Sequence, residues 1–209
     1  MRVPKTMLPL VALLLSIAPA QADPVPCAGS DLAAAKVAQR DAKGSLDAAV
    51  NFLRGNDARI QQFVLRWFGR GDQTTVNTVV LVLKRTSDWV NSVSLYCLYA
   101  NDGALVESVK APDGTIVLRD TAGDTYAYVN PGDLTKINLG LKFFTAPATG
   151  MDSKLGTFVH EVTHYFLTGN TEDIRYDKDM CLQLAQHDPD SALKNADNYE
   201  YFIEEWLAL

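Results

Sequence analysis

Between residues 30 and 91 the apolar positions recur three and four apart, the spacing that gathers them on one side of a helix. An alanine-rich helix is predicted over 30–54, capped by Ser30 or Asp31 and stopped by Gly55. A second is predicted over 57–68, where Ile60, Phe63, Val64, Trp67 and Phe68 form an apolar stripe. A third covers 74–91, with Val76, Val79, Val80, Leu83 and Val90 at helical spacing; its β-branched content also permits a strand. From Val93 the period shortens to two, as Val93, Leu95 and Cys97 alternate with other neighbours. Further strands are expected near 104–109, 115–119, 125–129 and 136–142, punctuated by Asn101-Asp102-Gly103, Asp113-Gly114 and Asn130-Pro131-Gly132-Asp133. Helical spacing returns in Leu155, Phe158, Val159, Val162 and Phe166, with Gly169 as the stop. A short helix over 177–187 and a last one over 190–206, capped by Asp190 or Ser191, complete the pattern. The expected fold is one α+β domain: N-terminal helices, a small, mostly antiparallel sheet, then two important helices.

The helix predicted around residue 160 carries His160-Glu161-Val162-Thr163-His164. Residues four apart share a helix face, so both imidazoles can reach one metal ion. Glu161 lies off that line, close enough to act on water at the metal. Two imidazoles and a carboxylate base in this spacing form the signature of a zinc metallopeptidase. Only three histidines occur in the chain, and two of them fall here. A catalytic zinc takes a third protein ligand. The subclass with a third histidine six residues after His164 is excluded, because position 170 is Asn and 167 is Leu. Glu172, Asp173 and, from a later helix, Glu200 remain open on spacing alone. His187, at a helix end, reads as a surface residue rather than a ligand. Arg70-Gly71-Asp72 reads as a turn rather than an adhesion motif.

Residues 1–22 have the character of a signal peptide: Arg2 and Lys5, an apolar run over Leu8–Ile17, and the cleavage site Ala20-Gln21-Ala22. Residues 23–209 then form the exported domain, secreted or periplasmic. The net charge is −6, and loss of Arg2 and Lys5 makes it more negative. That balance argues against nucleic acid as a partner and suits cationic substrates. The Leu8–Ile17 run is too short to span a bilayer comfortably and no later stretch is long and apolar enough, so no membrane partner is expected after cleavage. Cys27, Cys97 and Cys181 allow three pairings in an oxidising compartment. With no C-x-x-C pair, they do not read as a zinc site.

Thr171-Glu172-Asp173-Ile174-Arg175-Tyr176 resembles the G-T-x-D-x-x-Y element that follows H-E-x-x-H in the aspzincins, the family of deuterolysin and peptidyl-Lys metalloendopeptidase. The likeness extends through Ala146–Lys154 upstream and Asn195–Phe202 downstream, and is clear over 126–203. Asn170 and Asp177 depart from it, standing where the family usually has glycine. The resemblance implies a zincin-like fold and one zinc ion, held by His160, His164 and Asp173. It implies Glu161 as general base and Tyr176 as the oxyanion donor. It also implies that Asp197 and Glu200, three apart on one helix face, read a lysine ammonium on the primed side of the cut. Peptidyl-Lys metalloendopeptidases further imply a Cys27–Cys97 disulfide with Cys181 left free. The expectation is therefore a monomeric, exported zinc endopeptidase that cuts polypeptides on the amino side of lysine. The competing expectations are a non-catalytic zinc-containing binding protein and a deuterolysin-like peptidase without strict lysine preference.

Overall fold

The computed structural model describes residues 24–98, 106–110, 116–120 and 124–208. The targeting segment and the turns at 101–103 and 113–114 lie outside the described residues. In order, the elements are β1 (Val25–Pro26), α1 (Gly29–Leu53), α2 (Arg59–Phe68), α3 (Gln73–Val90), β2 (Ser94–Cys97), β3 (Val106–Lys110) and β4 (Ile116–Asp120). They continue with β5 (Ala127–Tyr128), β6 (Lys136–Leu139), α4 (Leu141–Thr145), α5 (Lys154–Thr163), α6 (Lys178–His187), α7 (Pro189–Ala192) and α8 (Ala196–Trp206). None of the described helices is long and apolar enough to cross a membrane.

The period-3.6 stripes become the core. Ile60, Phe63, Val64, Trp67 and Phe68 of α2 are all buried, as are Val76, Val79, Leu83 and Val90 of α3. Phe63 and Phe68 meet Phe202 and Tyr199 of α8, with ring centroids 4.8 and 4.9 Å apart for the closer pair of each. α5 lies at the centre, packed on α1, α3 and α8. Asp72 caps α3 by accepting from the Thr74 and Thr75 amides, and Arg70 pairs with Asp190. The Arg-Gly-Asp stretch is thus used up in holding a turn. Gly69 closes α2 at φ +70°, where a Cβ would come within 1.9 Å of the Ala185 carbonyl oxygen.

The four-stranded sheet has the order β1-β2-β6-β5. Its outer pairings are antiparallel and its central pair, β2 with β6, is parallel. β3 and β4 form a separate antiparallel pair. Ile137 and Leu139 bury one face of β6. Cys27 and Cys97 are joined across the β1–β2 edge, and Cys181 is free and buried.

Local boundaries differ from the expectation in four places. α1 begins at Gly29 with Ala28 at the cap and no side-chain bond, so Ser30 and Asp31 lie inside the first turn. The strand expected over 136–142 stops at Leu139, and α4 begins directly after Gly140. The last helix is divided: α7 is capped by Asp188, and α8 starts only at Ala196. α5 ends at Thr163, because the Thr168 hydroxyl bonds the carbonyls of Val162 and Tyr165 and stops the ladder. Phe166 consequently leaves the buried stripe and is 54% exposed.

Candidate active site

Four pieces of chain meet over α5. Ser153 caps that helix, its Oγ accepting from the Gly156 amide. From one face of α5, His160 and His164 project with ring centroids 4.8 Å apart. The turn after α5 brings in Asp173. Its Oδ1 lies 3.1 Å from His160 Nε2 and 3.3 Å from His164 Nε2. The other nitrogen of each ring is already held. His164 Nδ1 stands 2.9 Å from the Thr171 carbonyl oxygen, and His160 Nδ1 lies 2.7 Å from Asp197 Oδ1. Those partners fix Nδ1 as the protonated nitrogen, leaving both Nε2 lone pairs aimed at the same place.

The turn that carries Asp173 is locked to the start of α8. Asn195 Oδ1 accepts from the amides of Ile174 and Arg175, while its Nδ2 donates to the Arg175 carbonyl. Glu172 and Asn195 form a short parallel bridge. Asn170 and Asp177 keep the left-handed backbone that glycine would supply, with φ 48° and 64°. Asparagine visits that region readily. Asp177 is held there: its amide donates to Asp197 Oδ2 at 3.0 Å, and its side chain caps α6.

A cleft of about 560 Å³ opens onto these residues, bordered by β5 on one side and by α5, Asp152, the 173–177 turn and α8 on the others. His160, Glu161, His164, Asp173, Tyr176, Asp197 and Glu200 all line it. These seven residues are therefore in one place, while Glu172, also open on spacing as a third ligand, is not among the lining residues. Nor is His187; it bonds the Gln183 carbonyl at the end of α6. Sequence reasoning passed over Thr171, Asn195 as a clamp, and the acids Asp152 and Glu204. Asp152, Thr171 and Asn195 lie in the stretches that carry the resemblance, and Glu204 is an acid in the apolar run of the last helix.

The electrostatics favour a cation at this point. Burial opposes charge on His160, yet Asp173, Asp197 and Glu200 outweigh it and push its pKa well above the usual imidazole value. Burial also opposes the Asp173 carboxylate, but the two histidines hold it far below the ordinary range. Glu161 is 5% exposed, and burial raises its pKa against the pull of both histidines. The Tyr176 phenol is pushed up to about 12, first by desolvation and then by Asp173.

Two donor sets could be drawn here: His160, His164 and Asp173, or His160, Asp197 and Glu200. The first combines two free imidazole nitrogens with a carboxylate, which suits zinc. The second would use His160 Nδ1, whose 2.7 Å contact with Asp197 is that of a charge-assisted hydrogen bond. The first set thus fits a metal ion, with Asp197 in support. A helix offering two imidazoles, followed by a turn offering an acid, beneath a sheet edge, defines the zincin class of metal site.

The chain belongs to the aspzincin family, whose profile, described as lysine-specific metallo-endopeptidase, matches residues 54–204. It is similar to the solved zinc peptidase from Grifola frondosa, with a TM-score of 0.71 and 30% identity over 87% of this chain and 99% of that one. It is 33% identical to a peptidyl-Lys metalloendopeptidase of Armillaria mellea over 83% of this chain and 42% of the relative. An extracellular protease of Aeromonas hydrophila is 47% identical over 38% of this chain and 23% of its own length. The chain spans less than half the length of these last two relatives.

Proposed function

We propose that this protein is an exported zinc endopeptidase that cuts polypeptides on the amino side of lysine. The observation that carries the reading is the convergence of His160 Nε2, His164 Nε2 and Asp173 Oδ1 inside an acidic cleft. These three side chains would hold one zinc ion. The chemistry such an ion supplies is Lewis acidity toward water and a scissile carbonyl. Glu161, buried and with its proton affinity raised, takes the proton of the attacking water and delivers it to the leaving amine. The Tyr176 phenol stays protonated at neutral pH and donates to the oxyanion of the tetrahedral intermediate. Glu200 is the direct acceptor for a lysine ammonium. Asp197 adds its charge nearby while its oxygens hold His160 and the Asp177 amide. Residues 1–22 and the Cys27–Cys97 bond support export into an oxidising compartment.

The test is digestion of a denatured protein, with and without chelator, followed by identification of the new N-termini. Chelator-sensitive cleavage with lysine at the new N-termini is expected. Cleavage without lysine enrichment would favour a peptidase of broad preference. No cleavage by zinc-loaded protein would favour a binding role. Glu161→Gln should keep the metal and lose about a hundred- to ten-thousandfold in kcat, the loss expected on removing a general base.

A further inference from the structure

A lysine ammonium carries three N–H donors, and burying it requires an acceptor for each. The inventory of acceptors in the cleft is short. Asp197 is committed: Oδ1 faces His160 Nδ1 and Oδ2 accepts from the Asp177 amide. Glu200 has a side chain only 10% exposed, with Oε2 at 3.3 Å from His160 Nδ1. Its Oε1 accepts no hydrogen bond from the described residues. It stands over Gly156, 2.8 Å from where a Cβ would lie, on a side chain that lines the cleft.

Asp152 lines the same cleft. It is exposed and takes a left-handed backbone, φ 53°, a region uncommon for non-glycine residues but open to Asp. Two bonds hold it: its amide donates to Glu204 Oε2 at 3.1 Å, and the Tyr201 hydroxyl donates to its Oδ1 at 2.7 Å. Glu204 Oε1 would lie 2.1 Å from the same Cβ on Gly156, so Glu204 bridges the surroundings of Asp152 and Glu200. Among the described residues nothing donates to Asp152 Oδ2 and no cation pairs with it. The cleft's own lysine, Lys142, sits over the Tyr126 ring, 4.4 Å from its centroid.

We propose that Asp152 is a further specificity-determining residue: its Oδ2 and Glu200 Oε1 share the ammonium of the incoming lysine, and Tyr201 is the positioning residue that aims Asp152. This rests on the lysine reading of the cleft. It gives a use to Asp152 Oδ2, which accepts from none of the described residues and belongs to a side chain on the wall of the cleft.

The experiment compares two peptides identical except for lysine or norleucine on the primed side of the cut. Norleucine keeps most of the apolar stem and lacks the charge. Asp152→Asn and Asp152→Gly both tolerate the left-handed backbone and keep the amide bond to Glu204, so each serves as the other's check on folding. The lysine-over-norleucine ratio in kcat/KM should fall about tenfold or more in both, as expected for losing a hydrogen bond to a charged group. The fall should come through KM for lysine, with the norleucine rate and zinc content unchanged. Tyr201→Phe should move the ratio in the same direction by less. A ratio unchanged in both Asp152 variants overturns the proposal, as does an equal loss on both peptides. A wild-type protein that cleaves the two peptides alike overturns the lysine reading itself, and the assignment of Asp152 with it.

Discussion

Asp197 shows how much one side chain carries that spacing does not reveal. Its place three residues before Glu200 reads as half of a lysine pocket, and it does line the cleft. Its Oδ1, however, is 2.7 Å from the Nδ1 of a proposed metal ligand. Carboxylates in this position orient the imidazole and raise its basicity. Asp197→Asn should therefore lower zinc affinity about 10–100-fold, measured by competition with a chelator of known affinity. Unchanged affinity would mean that Glu200 alone orients His160. His160, Glu161 and His164 were legible because their relation is local, one turn of helix. Asp173 became legible only through the resemblance, since Glu172 and Glu200 were equally open on spacing. The bonds of Asp197, Asn195 and Thr171 were not legible, because each joins segments whose approach depends on the whole fold.

Helices α5 and α8 pack together beneath the site, and Gly156 of α5 faces the Glu200 and Glu204 side chains of α8. Alanine is the better helix former by about 1 kcal/mol, which favours Gly156→Ala on propensity alone. The added Cβ would meet Glu204 Oε1 at 2.1 Å. That oxygen ends a flexible side chain, but a buried one. The Ser153 amide and hydroxyl donate to it at 2.8 and 2.6 Å, and the Asp152 amide donates to Oε2. Moving it forfeits those bonds and displaces Glu200 as well. Overpacking then outweighs propensity, and Gly156→Ala should lose about 1–3 kcal/mol in denaturant unfolding. A gain in stability would show that Glu204 can swing aside at no cost. The helical stripes predicted α2 and α3 closely, because amphipathic period sets them. The C-terminal end of α5 and the division of α7 from α8 were missed. They are decided by Thr168, whose hydroxyl bonds backbone carbonyls, and by the backbone bonds of Glu172 to Lys194 and Ala196, none of which marks the apolar pattern.

At the scale of the molecule the helices and strands must be tied to one another, and two long-range ties are open to measurement. Neither was legible from pattern, and nor was the parallel pairing of β2 with β6, since period two gives a strand but not its neighbour. Glu205 joins α8 to α2 and α6, accepting from Arg66 at 2.9 Å, Trp67 Nε1 at 2.7 Å and Lys178 at 3.4 Å. Burial opposes its charge, but Arg66 and Trp67 prevail and its pKa is lowered. The stabilisation is present above the ordinary carboxylate value and is lost as pH falls through the lower folded one. Glu205→Gln should be less stable than the wild type at about pH 7, with the gap closing by about pH 3. A gap that persists in acid would assign the effect to packing. The second tie is the Cys27–Cys97 bond, which closes a loop with a sequence separation of 70. On the chain-entropy model a loop of that size stabilises by about 4 kcal/mol. It anchors β1, a strand of only two residues whose other hold on β2 is a few backbone bonds. The bond lies at the sheet edge opposite β5, which borders the cleft. Replacing both cysteines by serine should therefore lower Tm by roughly 8–16 °C for a domain of this size. Activity and zinc content well below that Tm should remain as in the wild type. A loss of under about 1 kcal/mol would show that the backbone bonds of β1 already order the terminus without the disulfide.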